Sequence, residues 1–513
     1  MTFTFPTAAR LILHRLVPVA AACFILVGCS SVVNSHTQKE EMMADYLAGN
    51  NDDALDEIEY KLREPAWYNS SVVGTGDELM WRLESGSMNF HIGDFEESIE
   101  QFKIAEELIE QYDERADVSA RDVAAEAGAA LTNLNALPYR GFCRDRIALA
   151  VYKALAYLGA GREDAFHAQI RRLRNEQKKV QDDYSKFFEQ EQERLEEEKL
   201  KNPDAAEKAD TLAQLSKIAE DPKNSAFASS INRIKKVANK GYGNFLNPAA
   251  IFLSGLASVR DGNYENARID FQRLNEAMPN NPMFRKYYVT SLDKTGREIP
   301  AELEGVQPFD FPLDENCVFV VFANGRSAAF EQSDIYFPVM TAWPSCTFYD
   351  APFQQLEAES GGKKYTSTIL ADMDGILAQE FDELLPGIIT RIVLGTLIKE
   401  AAYYAGIAVI AAQDDMDPTV KLLALTAIII GGSAYRSAMN TADTRSWEIL
   451  PKEFQLTQFP MPADKQVKIK LNGPGGSISQ GLQLPADSKS AIIFVDAPSA
   501  QNVAFHVLPI KTK

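Results

Sequence analysis

Small and aromatic residues recur at fixed spacing through residues 252–279, and no other feature of the sequence constrains the fold more strongly. The spaced residues are Gly255, Gly262, Tyr264, Ala267, Phe271 and Pro279. A small residue lets two helices touch, an aromatic residue fills the contact, and a glycine or proline ends a helix. Such a helix pair exposes an apolar face until a neighbouring pair covers it. The pattern therefore predicts a stack of helix pairs.

A second copy of the pattern lies at residues 86–105, where the matching residues are Gly86, Gly93, Phe95, Ser98, Phe102 and Ala105. Weaker copies lie near residues 46–54 and 154–165. Because the spacing between copies is irregular, we expect a degenerate array with insertions over residues 37–300. The array resembles a tetratricopeptide repeat region, in which a curved groove usually binds a peptide or a partner protein. An ordinary helical bundle packed through the same residues is the alternative.

Residues 170–240 interrupt this array with different chemistry. Apolar residues recur there at nearly 3.5-residue spacing within a densely charged surface, and they are Leu173, Val180, Tyr184, Phe187 and Leu195. A narrow apolar stripe of this kind predicts a long, coiled-coil-like helix. A second chain could cover the stripe, or the helix could fold back on residues 208–220 or 226–240, which we favour.

The C-terminal region, residues 301–513, is rich in predicted strands. Val318–Phe322 reads as a buried strand before the turn Asn324–Gly325, and alternating apolar runs follow near residues 467–471, 492–495 and 503–510. Short strands with frequent turns predict a β-sandwich-like domain. The fold class is therefore α+β and multidomain.

Two cysteines lie in strand-like stretches of this region. Cys317 and Cys346 are separated by one short segment, which leaves open a disulfide between them in an oxidising compartment. Cys143 would then be a free thiol.

A helical insertion at residues 365–440 contains an apolar hairpin at 388–435. The hairpin could enter a bilayer or meet a partner. Arg391, Lys399 and Glu400 lie in its first helix, where charges are costly in lipid, and its second apolar run is short for a membrane span. Burial against the β layer is therefore the favoured expectation.

The N-terminus carries Arg10 and Arg15, then an apolar run that ends at Gly28-Cys29. This pattern resembles the lipobox of bacterial lipoproteins. It predicts a signal peptide at 1–28, a lipid on Cys29 and a linker at 29–36 that holds the protein at a membrane. Ser30 favours the outer membrane, with the protein facing the periplasm. An uncleaved N-terminal anchor is the alternative.

Charge and chemistry exclude several functions. The chain has 52 basic side chains, and removal of Arg10 and Arg15 leaves 50 against 72 acidic ones, a net charge of −22. Such a charge repels nucleic acid and anionic lipid headgroups. The sequence has no zinc-ligand spacing, no nucleophile elbow and no phosphate-binding loop. We therefore expect no catalytic residue, metal or cofactor, with a hydrolase of unfamiliar type as the alternative.

Three stretches together resemble one family. They are Leu137–Gly141 with Tyr152–Leu158 behind it, Asn247–Pro248 with Phe252–Leu256, and Ala442–Trp447 with Leu450–Pro451. The chain is similar to an uncharacterised family of bacterial envelope lipoproteins with tetratricopeptide-like repeats and a β-rich C-terminal region. The resemblance implies no reaction, and it points towards cell-wall or outer-membrane assembly. The chain departs from the family in its charged insertion after Arg174 and at Phe142–Cys143.

Asp443, Arg445 and Trp447 in the third stretch admit two interpretations. They could form a recognition patch, with a bidentate guanidinium and an apolar anchor. They could instead form an ion pair and a buried indole that fix the hairpin to the β layer, which we favour.

The sequence as a whole predicts a lipid-anchored scaffold whose repeats bind an envelope protein. The alternative is a membrane-active or transport-accessory lipoprotein that uses the 388–435 hairpin.

Overall fold

The computed structural model describes residues 35–511 apart from 68, 120–137, 244, 338, 427, 429–440 and 475. The signal peptide, Cys29 and the end of the apolar hairpin lie outside the described residues. The described chain is helical up to the first strand and mainly β thereafter, so the predicted α+β class is confirmed.

Twelve α-helices precede the first strand in the described part of the chain. They are α1 (Ser35–Ala48), α2 (Asn51–Lys61), α3 (Glu78–Ile92), α4 (Phe95–Ser119), α5 (Cys143–Gly159), α6 (Glu163–Lys201), α7 (Pro203–Leu212), α8 (Leu215–Glu220), α9 (Ser225–Ala238), α10 (Pro248–Arg260), α11 (Tyr264–Ala277) and α12 (Pro282–Thr295). Two 3₁₀ turns lie at Pro222–Asn224 and Ala301–Leu303.

Helices α3 and α4 approach closely because Gly86 has no side chain. A Cβ at Gly86 would lie 2.4 Å from Cε1 of Phe102. The Ser98 hydroxyl donates to the Gly86 carbonyl at 2.8 Å, which joins the same two helices. Gly93 ends α3 with a φ of 90°, a conformation that glycine adopts at low cost, and Phe95 begins α4.

Helices α10 and α11 repeat this contact. A Cβ at Gly255 would lie 2.6 Å from Cε1 of Phe271. Gly262 follows α10 with a φ of 71°, and Tyr264 begins α11. Ala267 and Phe271 are fully buried. The sequence pattern therefore placed both helix contacts correctly.

The strands form three sheets. They are β1 (Cys317–Asn324), β2 (Ala329–Phe337), β3 (Val339–Thr347), β4 (Gln355–Ser360), β5 (Lys363–Thr366), β6 (Thr368–Asp372), β7 (Glu453–Pro460), β8 (Gln466–Gly473), β9 (Gly476–Gln483), β10 (Ser490–Ala497) and β11 (Ala504–Ile510). A five-stranded sheet has the order β11-β10-β1-β7-β6, a four-stranded sheet has the order β5-β4-β8-β9, and β2 pairs with β3. β1 and β10 are parallel, and the other pairs are antiparallel.

Strand β1 is buried on both faces. Val318, Val320 and Phe322 pack into a core shared with the four-stranded sheet. Phe319 and Val321 point the other way, as alternation along a strand requires, and pack into a core shared with the helices. The molecule therefore has three layers: helices, the five-stranded sheet and the four-stranded sheet.

A second, separate core lies beside these layers, and we call the unit around it the side lobe. It consists of helices α7–α9, the β2–β3 hairpin and the first part of helix α13 (Met373–Ala411). Phe227 of α9 and Trp343 of β3 meet there edge to face, with ring centroids 4.7 Å apart. The charged insertion therefore folds back on its own chain as favoured, although its main partner is α13.

The apolar stripe of the long helix α6 is divided between the two cores. Leu173 and Val180 are buried in the main core, whereas Leu195 is buried in the side lobe. Tyr184 packs against Phe245, with ring centroids 4.3 Å apart, and the side chain of Phe187 lies outside the described residues.

The disulfide left open between Cys317 and Cys346 is not formed, and both are free, buried thiols. Cys317 belongs to the main core and its Sγ lies 3.8 Å from the Ser490 hydroxyl. Cys346 belongs to the side lobe. Because β1 and β3 lie in different sheets and face different cores, the two thiols do not meet.

Candidate functional site

Helix α13 is buried at its base and exposed beyond it. Leu377, Leu385 and Val393 are fully buried in the side lobe. None of residues 396–426 is buried. We call residues 396–426 the arm. It contains the end of α13, a turn, and a second helical stretch at 418–426. The expected burial of the hairpin is therefore correct for its root only, and the layer that covers the root is the side lobe.

The arm exposes large apolar side chains. Tyr404 and Val409 are each 60% exposed, and Leu422 and Leu423 are 65% and 66% exposed. Among the described residues, α13 is the one helix long and apolar enough to cross a membrane, and only 17% of its most apolar window is buried. Soluble proteins rarely expose large apolar patches, and patches of this kind are typical of sites that contact a partner or a membrane.

Polar contacts clamp the base of α13. The Asp374 carboxylate accepts from the backbone N–H of Ala328 at 2.8 Å and from Lys452 Nζ at 2.6 Å. Further along, Arg391 forms an ion pair with Glu191 of α6. The Glu380 carboxylate accepts from the backbone N–H of Cys143 at 3.0 Å. The arm is therefore carried on a fixed root.

Cys143 itself is a structural thiol. It begins helix α5 and is buried. Burial raises the pKa of the Cys143 thiol well above its usual range, with the Glu380 carboxylate adding to the effect. A thiol held in the neutral form is a poor nucleophile.

The chain returns from the arm into the helical layer, where residues 442–450 form no helix or strand and are almost entirely buried. We call residues 442–450 the buried segment. The indole N–H of Trp447 donates to the Ser87 hydroxyl at 3.0 Å. Its ring packs near Phe102 and Tyr152, with centroids 6.0 and 6.1 Å away. Trp447 is therefore a core residue. We expected it to contact the β layer, whereas these contacts are with helices α3, α4 and α5.

Asp443 and Arg445 form an ion pair within the buried segment. The carboxylate accepts from Nε and Nη2 of Arg445 at 2.8 and 2.7 Å. Arg445 Nη1 also donates to Asp77 at 3.2 Å. Burial acts to lower the pKa of Arg445, but the two carboxylates raise it overall. The guanidinium is committed to these partners, so the structural interpretation of the pair fits the geometry.

Glu84 of α3 holds the backbone of the buried segment. Its two carboxylate oxygens accept from the N–H groups of Glu448 and Ile449 at 2.9 and 3.0 Å. Lys39 of α1 lies between Glu84 and Glu448, at 3.0 and 2.8 Å. Burial raises the pKa of Glu84, whereas Lys39 and His36 outweigh burial and lower the pKa of Glu448. Paired buried charges of this kind fix one arrangement of neighbouring elements.

Metal-ligating side chains do not cluster in the described part of the chain. No group of three or more His, Cys, Asp or Glu side chains in that part of the chain is placed to hold a metal ion. The buried His91 uses both ring nitrogens, one towards Asp496 and one towards Asn502, each at 2.9 Å. These two contacts hold the imidazole within the core.

No protein-family model, curated protein or solved structure matches this chain. The arm is therefore the strongest indication of function.

Proposed function

We propose that this chain is a lipid-anchored protein of the bacterial envelope that presents an apolar helical arm to a lipid bilayer. The observation that carries the proposal is the exposure of residues 396–426 next to a buried, polar-clamped root. An apolar helix on a rigid mount is suited to insertion, because the entropy of ordering it has already been offset by folding.

The lipid anchor is part of the proposal. Cys29 follows an apolar run and Gly28 in a lipobox-like pattern, and this supports diacylglycerol attachment there and residence at the outer membrane, facing the periplasm. The resemblance to envelope lipoproteins supports the same location. Metabolic labelling with an alkyne-bearing palmitate tests the anchor. We expect labelled wild-type protein and an unlabelled Cys29→Ser variant, and label on both would contradict it.

Contact between the arm and lipid is tested by photolabelling. Membranes that contain the lipidated full chain are treated with a lipid-soluble diazirine, and the labelled peptides are mapped by mass spectrometry. We expect label on residues 396–426 as well as at the N-terminus. Label at the N-terminal anchor alone would exclude the proposed contact.

A scaffold that binds an envelope protein through helical repeats is the second candidate. Gly86 against Phe102 and Gly255 against Phe271 support tetratricopeptide-like helix pairs. The core between the five-stranded and four-stranded sheets supports a β-sandwich-like C-terminal region. The buried segment covers part of α3, so a protein partner would bind along other helices, such as α10–α12.

Crosslinking in growing cells, followed by mass spectrometry, tests the scaffold. A reproducible envelope protein crosslinked to residues 248–295 would support it. If lipid-labelled arm peptides are recovered and no such protein is, the contact with the membrane is supported and the scaffold is not. We propose no chemical reaction.

A further inference from the structure

We propose that the arm enters the same bilayer that holds the Cys29 lipid, with its long axis crossing that bilayer. This inference rests on the proposed function, because it assumes both the lipid and the contact between arm and membrane. It adds the identity of the membrane and the depth of insertion. We measure distances along the strands of the β2–β3 hairpin, because helix α1 and the arm contact this hairpin at different positions along its length.

The tether to the membrane is short and its attachment point is known. Helix α1 begins at Ser35, and His36 Nε2 lies 3.8 Å from Glu331 Oε1 on strand β2. Five residues lie between Cys29 and Ser35, and the six residue-to-residue steps that they make span at most about 20 Å when extended. The membrane surface therefore lies within that distance of the start of α1.

The arm leaves the body from the same hairpin. The Thr396 hydroxyl lies 3.2 Å from the Thr341 hydroxyl on strand β3. Thr341 pairs with Ile335 on β2, four residues after Glu331. Four residues of strand correspond to about 13 Å, so the two exits lie close together along the hairpin.

Helix α13 also has a direction relative to this hairpin. It starts where Asp374 meets Ala328, just before β2, and reaches Thr341 near the turn of the hairpin. The arm continues this direction away from the body. From Thr396 to Ala411 the helix extends about 23 Å at 1.5 Å per residue. Its end therefore lies at most about 35 Å beyond the level of Glu331, the value for a helix parallel to the strand, whereas the tether reaches about 20 Å. An arm directed at the anchoring membrane is therefore long enough to enter it.

The chemistry of the arm changes along its length in the way that a bilayer requires. Charged and aromatic residues lie near its root and acidic residues lie at its tip, and they are Lys399, Glu400, Tyr403 and Tyr404, then Asp414, Asp415 and Asp417. Residues 401–412 between them contain no charge. Tyrosine and charged residues suit the membrane interface. The uncharged residues 401–412 extend about 17 Å, less than the apolar band of about 25 Å in an outer membrane, and the long side chain of Lys399 can reach back to the interface across part of the difference.

Other occupants fit this surface less well. A second copy of the chain would bring together two bodies that each carry a mature net charge of −22, and these repel each other. A soluble partner would require no separation of charge between the two ends of the arm. The arrangement of charges therefore favours lipid.

The test uses the lipidated full chain in vesicles of phosphatidylethanolamine and phosphatidylglycerol. A second, protein-free vesicle population of the same composition is added. A diazirine-bearing phosphatidylcholine is included in one population at a time. We expect crosslinks to residues 396–426 from the anchor vesicles, about tenfold more often than from the second population, because tethering raises the local concentration.

The possible results are distinct. Crosslinks mainly from the second population would overturn the same-bilayer arrangement and leave the proposed contact with lipid intact. Arm crosslinks from neither population would overturn both. If neither population labels the arm and the chain sediments as a dimer, a second copy is the occupant and both proposals are overturned as well.

A matched pair of variants separates insertion from folding. Val409→Glu places a charge in the middle of the arm, and Ile269→Glu places one on α11, where the side chain is also solvent-exposed. Circular dichroism checks that both remain folded. We expect Val409→Glu to lose the arm crosslinks and Ile269→Glu to keep them. Equal retention in both variants would overturn insertion across the bilayer.

Discussion

His91 of helix α3 and Asp496 of strand β10 form a buried hydrogen bond, with 2.9 Å between the imidazole Nδ1 and the carboxylate Oδ2. The residues lie 405 positions apart, so the bond joins the helical layer to the five-stranded sheet. The second ring nitrogen, Nε2, lies 2.9 Å from Oδ1 of Asn502. Burial acts to lower the pKa of His91, but the charge of Asp496 and these hydrogen bonds raise it overall.

This pair predicts a stability that depends on pH. Because the pKa of His91 is raised in the folded protein, its charged form contributes stability that is full below the unfolded value of about 6.5. That contribution is lost as pH rises through the folded pKa. We expect Asp496→Asn to lower the free energy of unfolding by about 1–3 kcal/mol at pH 6 and by less at pH 9.

Urea unfolding from pH 5 to 9 measures this difference. His91→Gln serves as the control, because it removes the titrating group and should flatten the same part of the curve. A difference between wild type and Asp496→Asn that stays constant with pH would contradict the role of the charged pair.

Trp447 predicts a large loss of stability on truncation. Its indole is fully buried and hydrogen-bonded to Ser87. We expect Trp447→Ala to lower the free energy of unfolding by about 3–5 kcal/mol, because a large cavity and an unpaired hydroxyl remain. Trp67 is 96% exposed, and Trp67→Ala should change stability by less than about 0.5 kcal/mol. Equal effects in chemical denaturation would contradict the placement of the buried segment.

Substitution by alanine should have opposite effects on stability at two helical glycines, one in the contact between α10 and α11 and one in the arm. Gly255→Ala places a Cβ 2.6 Å from Phe271 Cε1, and we expect it to cost about 1–3 kcal/mol through overpacking. At Gly406, in the arm, no atom of the described residues lies within 4 Å of such a Cβ. Gly406→Ala should stabilise the protein by about 0.5–1 kcal/mol, because alanine favours a helix. Thermal unfolding measures both, and stabilisation by Gly255→Ala would contradict the contact.

Local patterns in the sequence predicted local structure. Gly86 and Gly255 marked helix contacts, and the apolar run at Val318–Phe322 marked a strand buried on both faces. These signals depend on neighbours a few residues away, and the sequence states them directly.

The sequence predicted less well which elements pack together when they lie far apart in the chain. The insertion at 170–240 and helix α13 are far apart in sequence, and neither pattern indicates that they share a core. The expected burial of the hairpin does not extend to residues 396–426, because an apolar run has the same composition whether or not a protein core covers it. The charges at residues 399–400 and at 414, 415 and 417 were the available signal, since they flank the uncharged residues 401–412.

Two leucines, one in the buried root of α13 and one in the exposed arm, give the sharpest test of the division between root and arm. Leu385 lies in the buried root of α13, and Leu423 in the arm is 66% exposed. We expect Leu385→Ala to lower the free energy of unfolding in solution by about 2–5 kcal/mol, and Leu423→Ala to change it by less than about 0.5 kcal/mol. For photolabelling of the arm by lipid we expect the opposite order, with the larger effect in Leu423→Ala. Leu423→Ala removes apolar carbons that contribute about 0.8 kcal/mol each in lipid, so photolabelling of the arm should fall, whereas folded Leu385→Ala protein should label normally. Loss of labelling only in Leu385→Ala would mean that the root contacts lipid, which contradicts the division between root and arm.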